Sequence, residues 1–193
     1  TALIWPNLNV NAAMLSSNEL PTPRLLLRQW QPSDLEPFAL MSSDTDVMRY
    51  YPTPWSRKQS DAFAKRVMRL IDERGWDFWA VEERASGRFI GFVGLHVPSD
   101  ELPFSACVEV GWRLAKSYWG LGYATEAAQS AVAFGLQQLR LTELVAFTAI
   151  TNLKSRAVME RLGMQFDSKF DHPQVSVESM LRRHVLYRLR SPG

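Results

Sequence analysis

A chain of 193 residues, 46% hydrophobic and 22% charged, has room for one domain with a full core, which excludes a disordered or fibrous protein. A formal charge of +2 with no long block of Lys or Arg argues against nucleic acid as partner, and no apolar run is long enough to span a bilayer. A single cysteine, Cys107, excludes an internal disulfide framework, fits a reducing cytoplasmic setting, and reads as a buried core thiol rather than a nucleophile.

In chain order, residues 1–22 read as an irregular N-terminal arm, and Thr1–Leu15 has neither the basic start nor the apolar run of a signal peptide. Arg24–Trp30 is predicted as the first strand, and Ser33 or Asp34 as the cap of a short helix ending at Met41. Ser43–Trp55, with Pro52 and Pro54, reads as a loop. Ser56 caps a second helix to about Glu73, on which Phe63, Val67 and Leu70 follow helical spacing. Asp77–Glu82 and Arg88–Leu95 are predicted strands joined by a hairpin through Ser86-Gly87. Another strand covers 106–114, a helix runs on to Leu139, and Leu144–Ile150 is a further strand. Asn152 or a neighbour caps a short helix closed by Gly163, and two last strands, about 164–170 and 183–190, flank a loop containing His172-Pro173. Arg182-Arg183, Arg188 and Arg190 read as a charged strand and tail.

Between the strand ending at Leu114 and the long helix lies Trp119-Gly120-Leu121-Gly122-Tyr123-Ala124-Thr125-Glu126-Ala127. A strand, a glycine turn and a helix start make a site for anionic phosphate, because the first amides of the helix are unpaired and the positive end of its dipole lies behind them. A dinucleotide fingerprint is excluded, since the glycine after Gly122 is Gly135, and no G-x-x-x-x-G-K-[ST] string occurs. The segment resembles the diphosphate loop of the GNAT superfamily of N-acetyltransferases, Q/R-x-x-G-x-G/A, with Trp119, Gly122 and Ala124 in its places and Trp for Gln or Arg at the first. Asn152-Leu-Lys-Ser155-Arg156, running on to Leu162-Gly163, resembles that family's second signature. The glycine segment is similar to the branch containing ribosomal-protein N-terminal acetyltransferases.

The resemblance covers about residues 23–190 and implies an α/β (α+β) fold: a mixed, mostly antiparallel central sheet with splayed middle strands and flanking helices. It implies acetyl-CoA as co-substrate and no metal. The diphosphate falls to Trp119, Gly120, Leu121, Gly122, Ala124 and Thr125, pantetheine to the main chain near Trp112 and Leu114, and Asn152 lies near the pantetheine arm. Glu109 is the candidate general base; a solvent-facing or ion-paired strand glutamate is the alternative. Ser155 is the candidate acid for the departing thiolate, with helix capping as the alternative, and Asn152 can cap as well. Arg156 reads as a solvated helix charge or a contact to CoA phosphate. His172 and His184 lack metal-ligand spacing. Tyr50 and Tyr51 border the expected acceptor cleft, and Tyr187 could approach it. The acceptor implied is a primary amine, on a protein N-terminus or a small molecule, and the enzyme a monomer or homodimer. Two other readings are an acyl-CoA-binding regulatory protein without turnover and a nucleotide-binding module.

Overall fold

Phe78 and Trp79 are neighbours on one strand, so their side chains leave the sheet on opposite faces, and each collects its own layer. In a computed structural model that describes residues 19–98 and 102–191, Phe78 stacks on Phe63, and Phe92 and Phe38 join them. Trp79 meets Phe134 edge-on across the other face. The first face is covered by α1 (Leu35–Ser43) and α2 (Arg57–Arg74), the second by α3 (Tyr123–Gln137). A fourth helix, α4, spans Leu153–Arg161.

Among the described residues the strands are β1 (Leu20–Pro21), β2 (Leu25–Arg28), β3 (Phe78–Glu83), β4 (Arg88–His96), β5 (Glu109–Leu114), β6 (Glu143–Ala149), β7 (Gln165–Asp171) and β8 (Arg183–Arg190). They form one sheet in the order β1-β2-β3-β4-β5-β6-β8-β7, antiparallel at every junction except β5–β6. This is the mixed, mostly antiparallel sheet with flanking helices expected above. No described helix is long and apolar enough to cross a membrane.

Local chemistry explains most of the boundaries. Ser56 and Gln59 form a reciprocal capping box at the start of α2, and Gly75, in the left-handed region, ends that helix. Asp34 differs from expectation. Its carboxylate is buried against Arg28, with contacts of 2.7 and 3.0 Å, and accepts the Gln31 N–H; it makes no cap bond to α1. The strand expected from residue 106 begins at Glu109. Leu20 and Pro21, inside the segment read as an arm, pair with Leu27 and Leu26 at the sheet edge. Residues 1–18 of that arm lie outside the described residues.

The β5–β6 junction shapes the site. The two strands are parallel and in register only at Glu109 and Val145, where the Val145 N–H donates to the Val108 carbonyl at 3.0 Å. Beyond that rung they part, and the gap opens toward the start of α3 on one side and of α4 on the other.

Candidate active site

Strand alternation determines what lines the gap. Because the Val108 carbonyl takes the Val145 N–H, the main-chain groups of Val110, Trp112 and Leu114 turn to the same edge, where β6 has moved away. The Leu114 carbonyl already accepts the Trp119 indole N–H at 2.8 Å. Trp112 therefore offers both of its peptide groups to the gap, and Leu114 chiefly its N–H.

At the end of the gap the chain turns through Gly120 (φ 77°) and Gly122 (φ 80°) into α3. Such φ values are costly for residues with a Cβ. The first helical bond runs from the Glu126 N–H to the Gly122 carbonyl, so the amides of Tyr123, Ala124 and Thr125 lie ahead of the ladder. A dipole of 15 aligned residues backs them. Two cations flank the turn: Arg24 stacks on Tyr123 at 4.6 Å, and the Lys154 ammonium lies 4.6 Å from the Trp119 ring centre.

The far wall is a polar knot at the end of β6. Asn152 caps α4, its side-chain oxygen accepting the Ser155 N–H at 3.3 Å. Its amide donates to Thr148 Oγ1 at 2.9 Å and to Ser155 Oγ at 3.0 Å. A serine oxygen that already accepts one bond is left with its own O–H to donate. The capping reading of Asn152 therefore holds, and the same contacts prepare Ser155 as a donor.

Glu109 lies at the single β5–β6 rung, on the sheet face covered by α1 and α2. Its carboxylate leans over Gly111, where a Cβ would sit 3.8 Å from Oε1 and 2.9 Å from the Phe78 ring. Burial pushes the Cys107 thiol up to about 11, helped by the Glu109 and Glu143 carboxylates and opposed by Arg188; this is an inert thiol. His96 is directly opposite Glu109 on β4. The fully buried Asp77 carboxylate holds its Nδ1 at 3.0 Å, Phe78 stacks on its ring, and Arg74 pairs with the same carboxylate. Further along this face the buried Arg113 guanidinium lies 4.2 Å from Tyr51 and 4.3 Å from Trp55, its Nε without a hydrogen-bond partner.

Val145 and Phe147 of β6 share that face with His184, which pairs opposite Ala149. There Phe104, Phe147, Phe170, His172 and His184 pack together. Glu109 and this aromatic cluster thus lie on one face of the sheet, and the gap beside Glu109 leads to the glycine turn and the start of α4.

Comparison with known proteins identifies the family. A family model described as an Acetyltransferase (GNAT) domain matches residues 24–165. The chain belongs to the GNAT family. This acetyltransferase is 29% identical over 154 residues to the protein YkkB of Bacillus subtilis, covering 79% of this chain and 88% of YkkB. Its fold matches the GNAT-family acetyltransferase from Bacillus anthracis with a TM-score of 0.74 at 24% identity, covering 89% and 98% of the two chains. The ribosomal L7/L12 α-N-protein acetyltransferase RimL, solved in complex with coenzyme A, matches with a TM-score of 0.71 at 14% identity over 89% and 97%. The chain is therefore an acetyl-CoA-dependent acetyltransferase.

Several side chains of the acetyltransferase make contacts that the sequence does not announce. Trp119, in the place of Gln or Arg, turns its indole back onto β5 instead of toward the helix start. Tyr187 lies on the sheet face opposite Glu109. It faces α4, where its hydroxyl donates to Glu160 at 3.1 Å and accepts from Arg156 at 3.5 Å. Arg156 also donates to the Ile150 carbonyl, so it is a staple of the β6–α4 turn rather than a solvated charge. Tyr50 reaches across to the Thr151 carbonyl at 3.4 Å, linking the loop before α2 to that turn, and Tyr51 stacks on Arg113. Sequence reasoning passed over Arg24, Asp77, His96 and Arg113. His96 follows a predicted strand by one residue, but only the β4–β5 register sets it opposite Glu109.

Proposed function

We propose that this acetyltransferase moves the acetyl group of acetyl-CoA to a primary amine, on a protein N-terminus or a small molecule, by direct attack. Residues 23–190 form the catalytic domain, with 1–22 as an arm, acting in the cytoplasm as a monomer or homodimer. One observation carries the reading. The β5–β6 gap has Glu109 on one face and the Asn152–Ser155 knot with the glycine turn at its other end.

In this scheme Gly120, Leu121, Gly122, Ala124 and Thr125 bind the diphosphate through main-chain amides, Trp119 clasps the turn, and Trp112 and Leu114 hold the pantetheine amides. The neutral amine attacks the thioester carbon, so a C–N bond forms as the C–S bond breaks. Glu109 takes the proton the amine loses, and the Ser155 hydroxyl, oriented by Asn152, donates to the departing thiolate. An α-amino group titrates near ~8 and is partly neutral at physiological pH, so one carboxylate suffices; a lysine amine, near ~10.4, needs more.

The test follows CoA release over N-terminal peptides, amino acids, polyamines and aminoglycosides. At least one α-amine or small amine is expected to release CoA in step with acetylated product. With that acceptor, Glu109→Gln is expected to lower kcat about 100-fold and to remove the acid limb of the pH–rate profile. An unchanged profile would remove Glu109 from the scheme, and CoA release with no amine in the panel would overturn the acceptor class.

A further inference from the structure

Trp119 stands where the loop of this family carries a polar or cationic side chain, and its indole points back to the Leu114 carbonyl. A cation reaches the turn from another strand instead. Arg24, just before β2, donates from one terminal nitrogen to the Leu121 carbonyl at 2.9 Å and from Nε to Glu126 Oε2 at 2.7 Å. Its own main-chain N–H and the Thr22 hydroxyl donate to Glu126 Oε1 at 2.9 and 2.6 Å. The second terminal nitrogen packs on the glycine itself, 3.4 Å from where a Gly122 Cβ would be. The guanidinium remains about half exposed.

Two consequences follow from elementary chemistry. The Leu121 carbonyl and the Gly122 N–H belong to one planar trans peptide and point in opposite directions. Drawing the carbonyl to Arg24 therefore aims the Gly122 N–H away from it, on the same side of the turn for every molecule. Glu126 lies in the first turn of α3, where a carboxylate suits the helix dipole but repels an incoming diphosphate. Arg24 cancels that charge at contact distance.

We infer that Arg24 is the positioning residue of the cofactor turn: it aims the Gly122 amide and neutralises Glu126, supplying from a neighbouring strand what Trp119 does not. The inference rests on the reading of Trp119–Thr125 as the diphosphate loop. Its ligand is the diphosphate of CoA, not the 3′-phosphate.

Calorimetric titration with acetyl-CoA and with 3′-dephospho-CoA tests this without an acceptor. Arg24→Gln is expected to weaken both ligands about tenfold, the worth of one charge-assisted hydrogen bond. Arg24→Gln/Glu126→Gln is expected to regain part of that loss, because the uncompensated anion is gone. Arg24→Lys, which keeps the charge but not the fork, is expected to fall between Arg24→Gln and the parent; it also serves if Arg24→Gln does not fold. A double variant no better than Arg24→Gln, or a loss confined to the ligand with the 3′-phosphate, overturns the inference. So does parent-like binding by the Arg24 variants while Gly122→Ala binds poorly, an outcome that leaves the diphosphate loop standing. Parent-like binding by Gly122→Ala as well removes the loop reading and this inference together.

Discussion

Asn152 shows how one residue serves stability and chemistry through different atoms. Its oxygen caps α4 and its amide nitrogen orients Ser155 and Thr148. Asn152→Ala is expected to cost about 1 kcal/mol as a lost cap. Asn152→Asp retains the capping oxygen and loses only the donor, so its melting temperature should stay near the parent's while the rate of CoA release falls with that of the alanine variant. Thermal melts set beside kcat check this; a rate that tracks stability in both variants would reduce Asn152 to a cap. The residue scale is also where reading from sequence was uneven. An asparagine three residues ahead of a serine announces a helix start, so the cap was legible. Nothing near Trp119 announces that its indole turns toward Leu114, because that depends on the path of the turn in three dimensions.

At the scale of elements, the decisive feature is a failure to pair. β5 and β6 share one rung and then diverge, which leaves main-chain groups of Val110, Trp112 and Leu114 facing a gap. On its other edge β5 pairs with β4 from Glu109 to Leu114, and β4 in turn is pressed close to β3. A Cβ at Gly94 would lie 2.1 Å from the Asp77 carbonyl and 2.8 Å from the Phe78 Cα, both backbone atoms that have no room to move. Gly94→Ala is therefore expected to destabilise by about 3 kcal/mol, read as a drop in denaturant midpoint with an unchanged m-value. It would also shift Asp77 and, through it, His96 beside Glu109. Helix limits at Ser56 and Gly163 were legible because each rests on local chemistry. The short β1 was not, since a two-residue edge strand exists only by virtue of β2 beside it.

For the whole molecule, the sheet divides the groups of the proposed site, with the glycine turn and α4 at one side of the gap and Glu109, His96 and the aromatic cluster on the other. His184 belongs to that cluster, packed among Phe147, Phe170 and His172, with its Nδ1 facing the Arg182 carbonyl at 3.2 Å. Burial lowers its pKa to about 4, with His172 adding to that and the Arg182 carbonyl opposing it. An unfolded histidine takes up a proton near ~6.5, so His184 contributes stability that is fully present above that pH. The contribution is lost as pH falls toward about 4, because only the unfolded chain gains the proton. The melting temperature is expected to fall across that window, and less steeply in His184→Phe; equal slopes would mean that the imidazole is not the group responsible.

The elements other than β1, the glycine turn before α3, the Asn152 cap and the family were legible in the sequence alone, because each depends on neighbours within a few residues or on a motif contiguous in the chain. Only the tertiary structure decided that Arg24 crosses about 100 residues of sequence to hold Leu121 and Glu126, that His96 faces Glu109 and that Tyr187 turns to α4. Those contacts follow from strand order and register, in which a shift of one residue sends every side chain to the opposite face. Local patterning specifies the strands, and their packing specifies which side chains meet.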